Sequence, residues 1–192
     1  MKSKFLSLLL VFVATISYAQ KQVNFKIDQT KSIVKWSGKK IVGGNTEGTI
    51  HVLNGSLLFK GEQLKGGEVT MDTKSIQSEK ASKRLVDHLK NEDFFDVEKF
   101  PTAKFVVTKV SGVKNQATIT GQITIKGITK ELSFPADITI GKDVAVVKAS
   151  QVKVDRTKFG VEYRSGSIFA DLGNGAIEDN FILDIILVGA KK

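Results

Sequence analysis

Ala117-Thr118-Ile119-Thr120-Gly121-Gln122-Ile123-Thr124-Ile125-Lys126 alternates without a break. In an extended chain, Ala117, Ile119, Gly121, Ile123 and Ile125 fall on one side, and the threonines, Gln122 and Lys126 on the other. Period two is the signature of a strand with one face in a core and one in water. The same reading extends outward. Phe105 and Val107 alternate with Lys104, Val106 and Thr108. Phe181, Leu183, Ile185 and Leu187 share one face near the end of the chain, while Ile182, Ile186 and Val188 share the other, interrupted by Asp184. A strand apolar on both faces is expected to be covered on both sides.

Turn signals separate these runs. Gly43-Gly44-Asn45 divides a strand around Ser32 to Val42 from one around Glu47 to Leu53. Asn54-Gly55 is the strongest hairpin signal, because both residues accept positive φ. Gly66-Gly67, Gly112, Gly127, Gly141-Lys142 and Gly173-Asn174-Gly175 punctuate the rest. Many short strands at regular spacing imply an all-β protein, a closed antiparallel barrel or a sandwich.

One segment has a different period. Glu79 to Lys90 places Ala81, Leu85, Val86 and Leu89 on a narrow apolar stripe, which predicts a short helix. Ser78 is its expected cap, and Asn91 its expected left-handed stop. The following Asp93-Phe94-Phe95-Asp96-Val97-Glu98-Lys99-Phe100-Pro101 is too aromatic for a solvated loop and is expected to pack against a barrel mouth.

The first residues have another purpose. Lys2 and Lys4 precede an apolar run from Phe5 to Ile16, and Ser17-Tyr18-Ala19 presents small residues where a signal peptidase reads. This predicts a signal peptide at 1–19, cleavage after Ala19, and a periplasmic or secreted domain at 20–192. The run is too short to span a bilayer. The chain has no cysteine, which excludes disulfides, thiolate chemistry and a lipid anchor. Removing Lys2 and Lys4 leaves 27 basic residues against 20 acidic, a net +7. The lysines are scattered along strands, so they read as a soluble polar face rather than a nucleic-acid site. Transient contact with a membrane surface is compatible with that charge. The oligomeric state, homodimer included, is not legible.

No G-x-S-x-G, Walker A, G-x-G-x-x-G or H-E-x-x-H pattern occurs, so no catalytic and no metal residues are assigned. His51 and His88 lie on different elements, and His51 is expected to face outward. His88 reads either as a polar group at a pocket mouth or as a surface histidine at the negative end of the helix. Asp93, Asp96 and Glu98 read as loop carboxylates, with an acid/base pair as the alternative. Arg156 and Arg164 stand in a polar loop that also holds Ser165-Gly166-Ser167. Arg156 suits bidentate contact with a phosphate or carboxylate headgroup; a surface pair with Asp155 or Glu162 is an equal alternative. Trp36 is expected to plug one end of a barrel.

The run Asp87-His88-Leu89-Lys90-Asn91-Glu92-Asp93-Phe94-Phe95-Asp96-Val97-Glu98-Lys99-Phe100-Pro101-Thr102-Ala103-Lys104-Phe105 resembles the hallmark of the YceI-like family. Gly121 to Lys130 resembles that family's strand and turn "G-x-L-T-I-x-G-x-T-K", and Asp155-Arg156-Thr157-Lys158-Phe159-Gly160-Val161 its "R-x-x-F-G" loop. Ile27-Asp28, Trp36 and Glu47-Gly48 resemble its first hairpin. The resemblance spans roughly Phe25 to Val188. It implies an extended lipocalin-like fold: an eight-stranded, up-and-down antiparallel β-barrel with a helix between strands. It also implies an apolar ligand inside the barrel, such as a polyisoprenoid, an isoprenoid quinone or a fatty-acid derivative, with no catalytic residues established and no cofactor beyond that guest. On that basis His88, Phe94, Phe95, Arg156 and Phe159 are the expected mouth or wall residues, with Arg84 and Arg164 weaker candidates. The expected role is an exported lipid carrier or store. The alternatives are an enzyme or redox/stress-response accessory using the same cavity, and an interaction module whose barrel is filled by its own Phe and Trp.

Overall fold

The structure, a computed structural model, describes residues 21–113 and 116–191. The expected signal peptide lies outside them. Among the described residues nine strands are formed: β1 (Gln22–Ile27), β2 (Ile33–Lys39), β3 (Asn45–Lys60), β4 (Gln63–Gln77), β5 (Thr102–Ser111), β6 (Ala117–Ile125), β7 (Ile128–Ile140), β8 (Val144–Asp155) and β9 (Asn180–Lys191). One helix, α1 (Lys83–Lys90), lies between β4 and β5.

Each strand from β2 to β9 pairs antiparallel with its sequence neighbour, and β2 pairs with β9 to close the ring. That is an eight-stave up-and-down barrel, as expected. The first stave is made of two pieces. β1 pairs with β3 through Gln22↔Lys60 to Lys26↔Ser56, and β2 pairs with the same strand through Val34↔Ile50 to Lys39↔Asn45. The chain breaks between them because Asp28 forms a side-chain turn. Its Oδ1 accepts from Thr30 N at 3.0 Å and Thr30 Oγ1 at 2.7 Å, which competes with the ladder. Ser32 repairs the edge by accepting from Val188 N at 3.0 Å.

The alternation of the β6 run becomes its burial pattern. Ala117, Ile119, Gly121, Ile123 and Ile125 are all buried, and the residues between them are exposed or half-buried. The core is the barrel interior, with Phe25, Phe59, Val147 and Leu187 among its members. Gly121 is required there. A Cβ would stand 2.4 Å from both the Phe105 ring and the Val106 carbonyl oxygen.

Several local expectations are corrected. Asn54-Gly55 makes no hairpin; both residues lie inside the long β3, beside a register shift between Val52 and Asn54. Gly55 instead allows β1 and β4 to approach, since a Cβ would meet Glu68 O at 2.6 Å and Ile27 Cγ1 at 2.8 Å. Gly66-Gly67 likewise sits within β4, and the turn falls five residues earlier, at left-handed Gly61. α1 starts at Lys83, not Glu79. Ser78 Oγ accepts from Ala81 N at 3.0 Å, closing a separate turn, and Ser82 is the true cap through Leu85 N at 3.3 Å. Asn91 ends the helix in extended backbone; the left-handed residue is Asp96.

The outer face of β9 is open rather than covered. Ile186 is exposed beside exposed Ile33 and Lys148. Asp184 has its own reason to interrupt that face. A bulge puts Gln151 at positive φ, and Asp184 Oδ1 accepts the freed Gln151 N at 2.8 Å.

Candidate functional site

Up-and-down connectivity sorts the connections by barrel end. Short turns 61–62 and 141–143 and the β5–β6 connection lie at one end. The longer connections 40–44, 78–101 and 156–179, with the tight 126–127 turn, lie at the other and form a mouth. Within that mouth is a cavity of about 170 Å³. Ile50, Met71, Ile76, Ile123, Phe181 and Leu183 supply its strand wall, while Leu85 and Leu89 of α1 and the Phe94-Phe95 pair close it from the side. A second cavity of about 60 Å³ lies deeper, between Leu57, Val69, Phe105, Phe134 and Val147. Met71, Ile123 and Leu183 border both, so they form the partition between an outer and an inner chamber. The interior is therefore not filled by its own aromatic residues.

The lining is almost wholly apolar. Exposed polar groups gather toward the outside, at Lys39, Lys40, Glu178 and Asn180, while the buried polar residues of the outer lining, Thr73 and Arg156, have their polar atoms bonded to backbone carbonyls. Together the chambers fall short of the 300–1,000 Å³ usual for a small-molecule pocket. A slender chain fits this shape better than a bulky ring system. A long chain would have to widen the Met71 partition or leave its polar end in the mouth.

Trp36 borders the outer chamber instead of serving only as an end plug. Its Nε1 donates to Thr49 O at 3.2 Å, and Gly48 makes room for the ring, since a Cβ there would lie 2.5 Å from Trp36 Cζ2. Phe94 is buried and Phe95 half-buried; both border the chamber, and Phe95 meets Phe181 edge-on at 6.1 Å. His88 does not border it. Its ring stacks edge-on against Phe94 at 5.1 Å and Tyr163 at 4.7 Å, and its Nε2 lies 2.8 Å from Asp93 Oδ2. This trio fastens the α1 connection to the 156–179 connection.

Arg156 is buried at the edge of the outer chamber. Its Nε donates to Glu178 O at 3.1 Å, Nη1 to Val161 O at 2.8 Å and Nη2 to Ile177 O at 3.1 Å. Neither Asp155 nor Glu162 is its ion-pair partner; Asp179 Oδ1, at 3.9 Å from Nη2, takes that place. Burial lowers the guanidinium pKa, opposed by the charges of Asp179 and Asp155. The Asp179 carboxyl is held below its ordinary range, first by the Ser165 hydroxyl at 2.5 Å, then by Ser167 and Arg156. These contacts fold the 156–179 connection back on itself. Phe159 is packed in the core and borders neither chamber. Arg84 is exposed on α1, and Arg164 lies exposed over the Tyr163 ring at 5.9 Å.

The acidic residues do not assemble. Asp93 faces His88, Glu98 pairs with Lys74 at 2.7 Å, and Asp96 serves through its backbone, its oxygen accepting from Lys99 N and Phe100 N. His51 faces outward, as expected. Among the described residues, no group of three metal-ligating side chains comes together. Leu85 and Leu89 lay on the predicted helix stripe, and Leu183 and Phe181 on a predicted strand face. Periodicity was thus a signal for lining residues that a search for polar groups passed over.

The barrel and its mouth have known counterparts. The crystal structure of Burkholderia cenocepacia BcnA superposes with a TM-score of 0.66 at 22% identity, covering 84% of this chain and 98% of that one. A polyisoprenoid binding domain from Saccharophagus degradans, implicated in plant cell wall breakdown, gives 0.66 at 9% identity, covering 88% and 99%. At such identities the likeness is one of fold. In sequence, a UPF0312 protein of Shewanella denitrificans is 30% identical over 149 residues, 76% of this chain and 74% of its own. One from Pseudomonas fluorescens is 26% identical over the full length of both. The YceI-like domain model matches residues 25–188, which takes in every strand but the outermost edges of the first and last and the whole mouth. With the closed barrel, the aromatic connection after α1 and the Arg156 loop all in place, the chain belongs to the YceI-like family.

Proposed function

We propose that this protein is an exported carrier or store for one slender lipid, a polyisoprenoid, isoprenoid quinone or fatty-acid-like chain, held in the barrel with its polar end toward the mouth. The observation that carries the reading is the two-chamber apolar interior that opens among the 40–44, α1 and 177–180 segments. Burying each CH₂ contributes about 0.8 kcal/mol, so a chain gains affinity along its length without polar contacts. The polyisoprenoid-binding domain of similar fold supports the same ligand class. Residues 1–19, read as a signal peptide, supply the export.

Trp36 provides the test. It is the only tryptophan and it borders the outer chamber. Titration of delipidated protein with an isoprenoid quinone is expected to quench its emission saturably at one equivalent. Linear, non-saturating quenching equal to that of free tryptophan would count against the reading. Recovery from the native host of a protein beginning at Gln20 in the periplasmic or secreted fraction is the expected outcome for export; an intact Met1 in the cytoplasm contradicts it.

The second reading, an enzyme or redox/stress accessory, draws on the His88–Asp93 pair. Its test is His88→Ala assayed with candidate lipids. Lost turnover with unchanged binding favours it, and no turnover by the wild type removes it. The position of His88 outside the chamber lining favours the carrier.

A further inference from the structure

Large apolar side chains are exposed at several places on the barrel, but four of them share one location. Ile41 is 55% exposed, Val42 53%, Ile168 44% and Phe169 46%. They belong to two connections that meet at the mouth. Ile41 N donates to Ala176 O at 2.9 Å, and Lys40 bridges Ile177. A Cβ on Gly166 would stand 3.2 Å from Ile41 Cδ1, so Ile41 lies directly against the turn that carries Ile168 and Phe169. That turn is short and held from within: Ile168 N and Phe169 N both donate to Ser165 O, and Ser165 is itself fully buried against Asp179. The apolar tips are therefore displayed on fixed loops.

Their setting identifies what they meet. Lys39 and Lys40 precede Ile41-Val42 directly, are exposed, and border the outer chamber; Lys39 Nζ lies 3.7 Å from Glu178 Oε1, a loose surface pair that leaves the ammonium open to a headgroup. Lysines behind apolar tips match an anionic headgroup layer above an acyl interior. A stable protein partner asks for about 1,200–2,000 Å² of total buried surface. Four half-exposed side chains on two loop tips offer on the order of a few hundred Å². A bilayer accepts such a small patch, because each tip finds its own apolar surroundings.

We propose that the mouth rim formed by 39–42 and 168–169 docks on a phospholipid membrane surface, with Ile41, Val42, Ile168 and Phe169 entering the interface and Lys39 and Lys40 facing anionic headgroups. The outer chamber is then turned toward the bilayer, so a lipid chain passes between them without crossing water. The inference rests on the carrier reading for its purpose. Its test does not, because docking is measured without any cargo.

The experiment is co-sedimentation of the delipidated protein with vesicles of equal parts phosphatidylethanolamine and phosphatidylglycerol. The wild type is compared with a Val42→Asp/Phe169→Asp variant and with Val113→Asp. Val113 is 70% exposed at the opposite end of the barrel and serves as the control. The expected result is vesicle binding by the wild type, a roughly tenfold or greater loss in the double variant, and no change in V113D. Unchanged urea midpoints establish that the variants are folded. Wild type that stays in the supernatant overturns the proposal. So does a double variant that sediments like wild type, or a V113D loss equal to that of the double variant. Trp36 quenching by the quinone, measured on the same proteins without vesicles, reports separately on the cavity.

Discussion

Arg156 Nη1 donates to the Val161 carbonyl oxygen at 2.8 Å, across a turn whose end is the left-handed Gly160. The same guanidinium also holds Ile177 O and Glu178 O, so one buried side chain joins the two ends of the 156–179 connection. Arg156→Met removes all three donors and leaves their carbonyls short of partners. The expected cost is about 3 kcal/mol, read as a lower urea midpoint. Arg156→Lys retains charge but not the fork, and is expected to fall between the two. A Met variant as stable as wild type would show that the guanidinium does not organise the mouth.

Acid is expected to loosen this connection. The folded-state pKa of Asp179 lies below its ordinary 3.8, held there by Ser165 first, then Ser167 and Arg156. A depressed carboxyl contributes stability that is fully present above the unfolded-state value and is lost as pH falls through the folded-state value. The amides of 156–179 should therefore lose hydrogen-exchange protection progressively below about pH 4. Asp179→Asn should lower protection at neutral pH and flatten that dependence. An identical acid profile in the variant would contradict the assignment.

The partition between the chambers sets how far a chain can enter. Leu183 borders both cavities and projects from β9 beside Trp36 of β2. Leu183→Trp adds bulk at that point and is expected to exclude long chains from the inner chamber while short ones still bind. Affinity for fatty acids of increasing length, followed by isothermal titration calorimetry so that the added indole does not enter the readout, should stop rising at a shorter chain than in wild type. An unchanged length dependence would place the guest elsewhere.

Gly48 controls the other wall. A Cβ there would stand 1.9 Å from Gln77 O and 2.5 Å from the Trp36 ring. The first contact is backbone and cannot yield cheaply. Gly48→Ala is expected to destabilise by about 1–3 kcal/mol and to shift Trp36 emission, as the ring is pushed toward the chamber. Unaltered emission and stability would mean that the hairpin relaxes freely.

How much of this could be read from the chain depends on what each residue answers to. β6 was legible residue by residue because its alternation is imposed by a single interior, and burial reproduces it. Phe94 and Phe95 were legible as mouth residues because so aromatic a loop has no stable place in water. Asn54-Gly55 misled because local turn propensity yields to a sixteen-residue strand whose neighbours need a glycine for close packing. The helix began four residues late because two serines can each cap a turn, and the β-strand exit decides between them. Arg156 was ambiguous for a different reason. Its partners are backbone carbonyls, two of them some twenty residues away, and carbonyls leave no mark in a sequence.

Native mass spectrometry of the protein isolated from its own host reads whether the barrel carries a guest. A single adduct at one equivalent, released by organic solvent and identified as an isoprenoid, quinone or fatty-acyl compound, is the predicted result. Protein that repeatedly flies at its bare mature mass, and that still refuses such lipids when they are supplied in excess, would contradict the account.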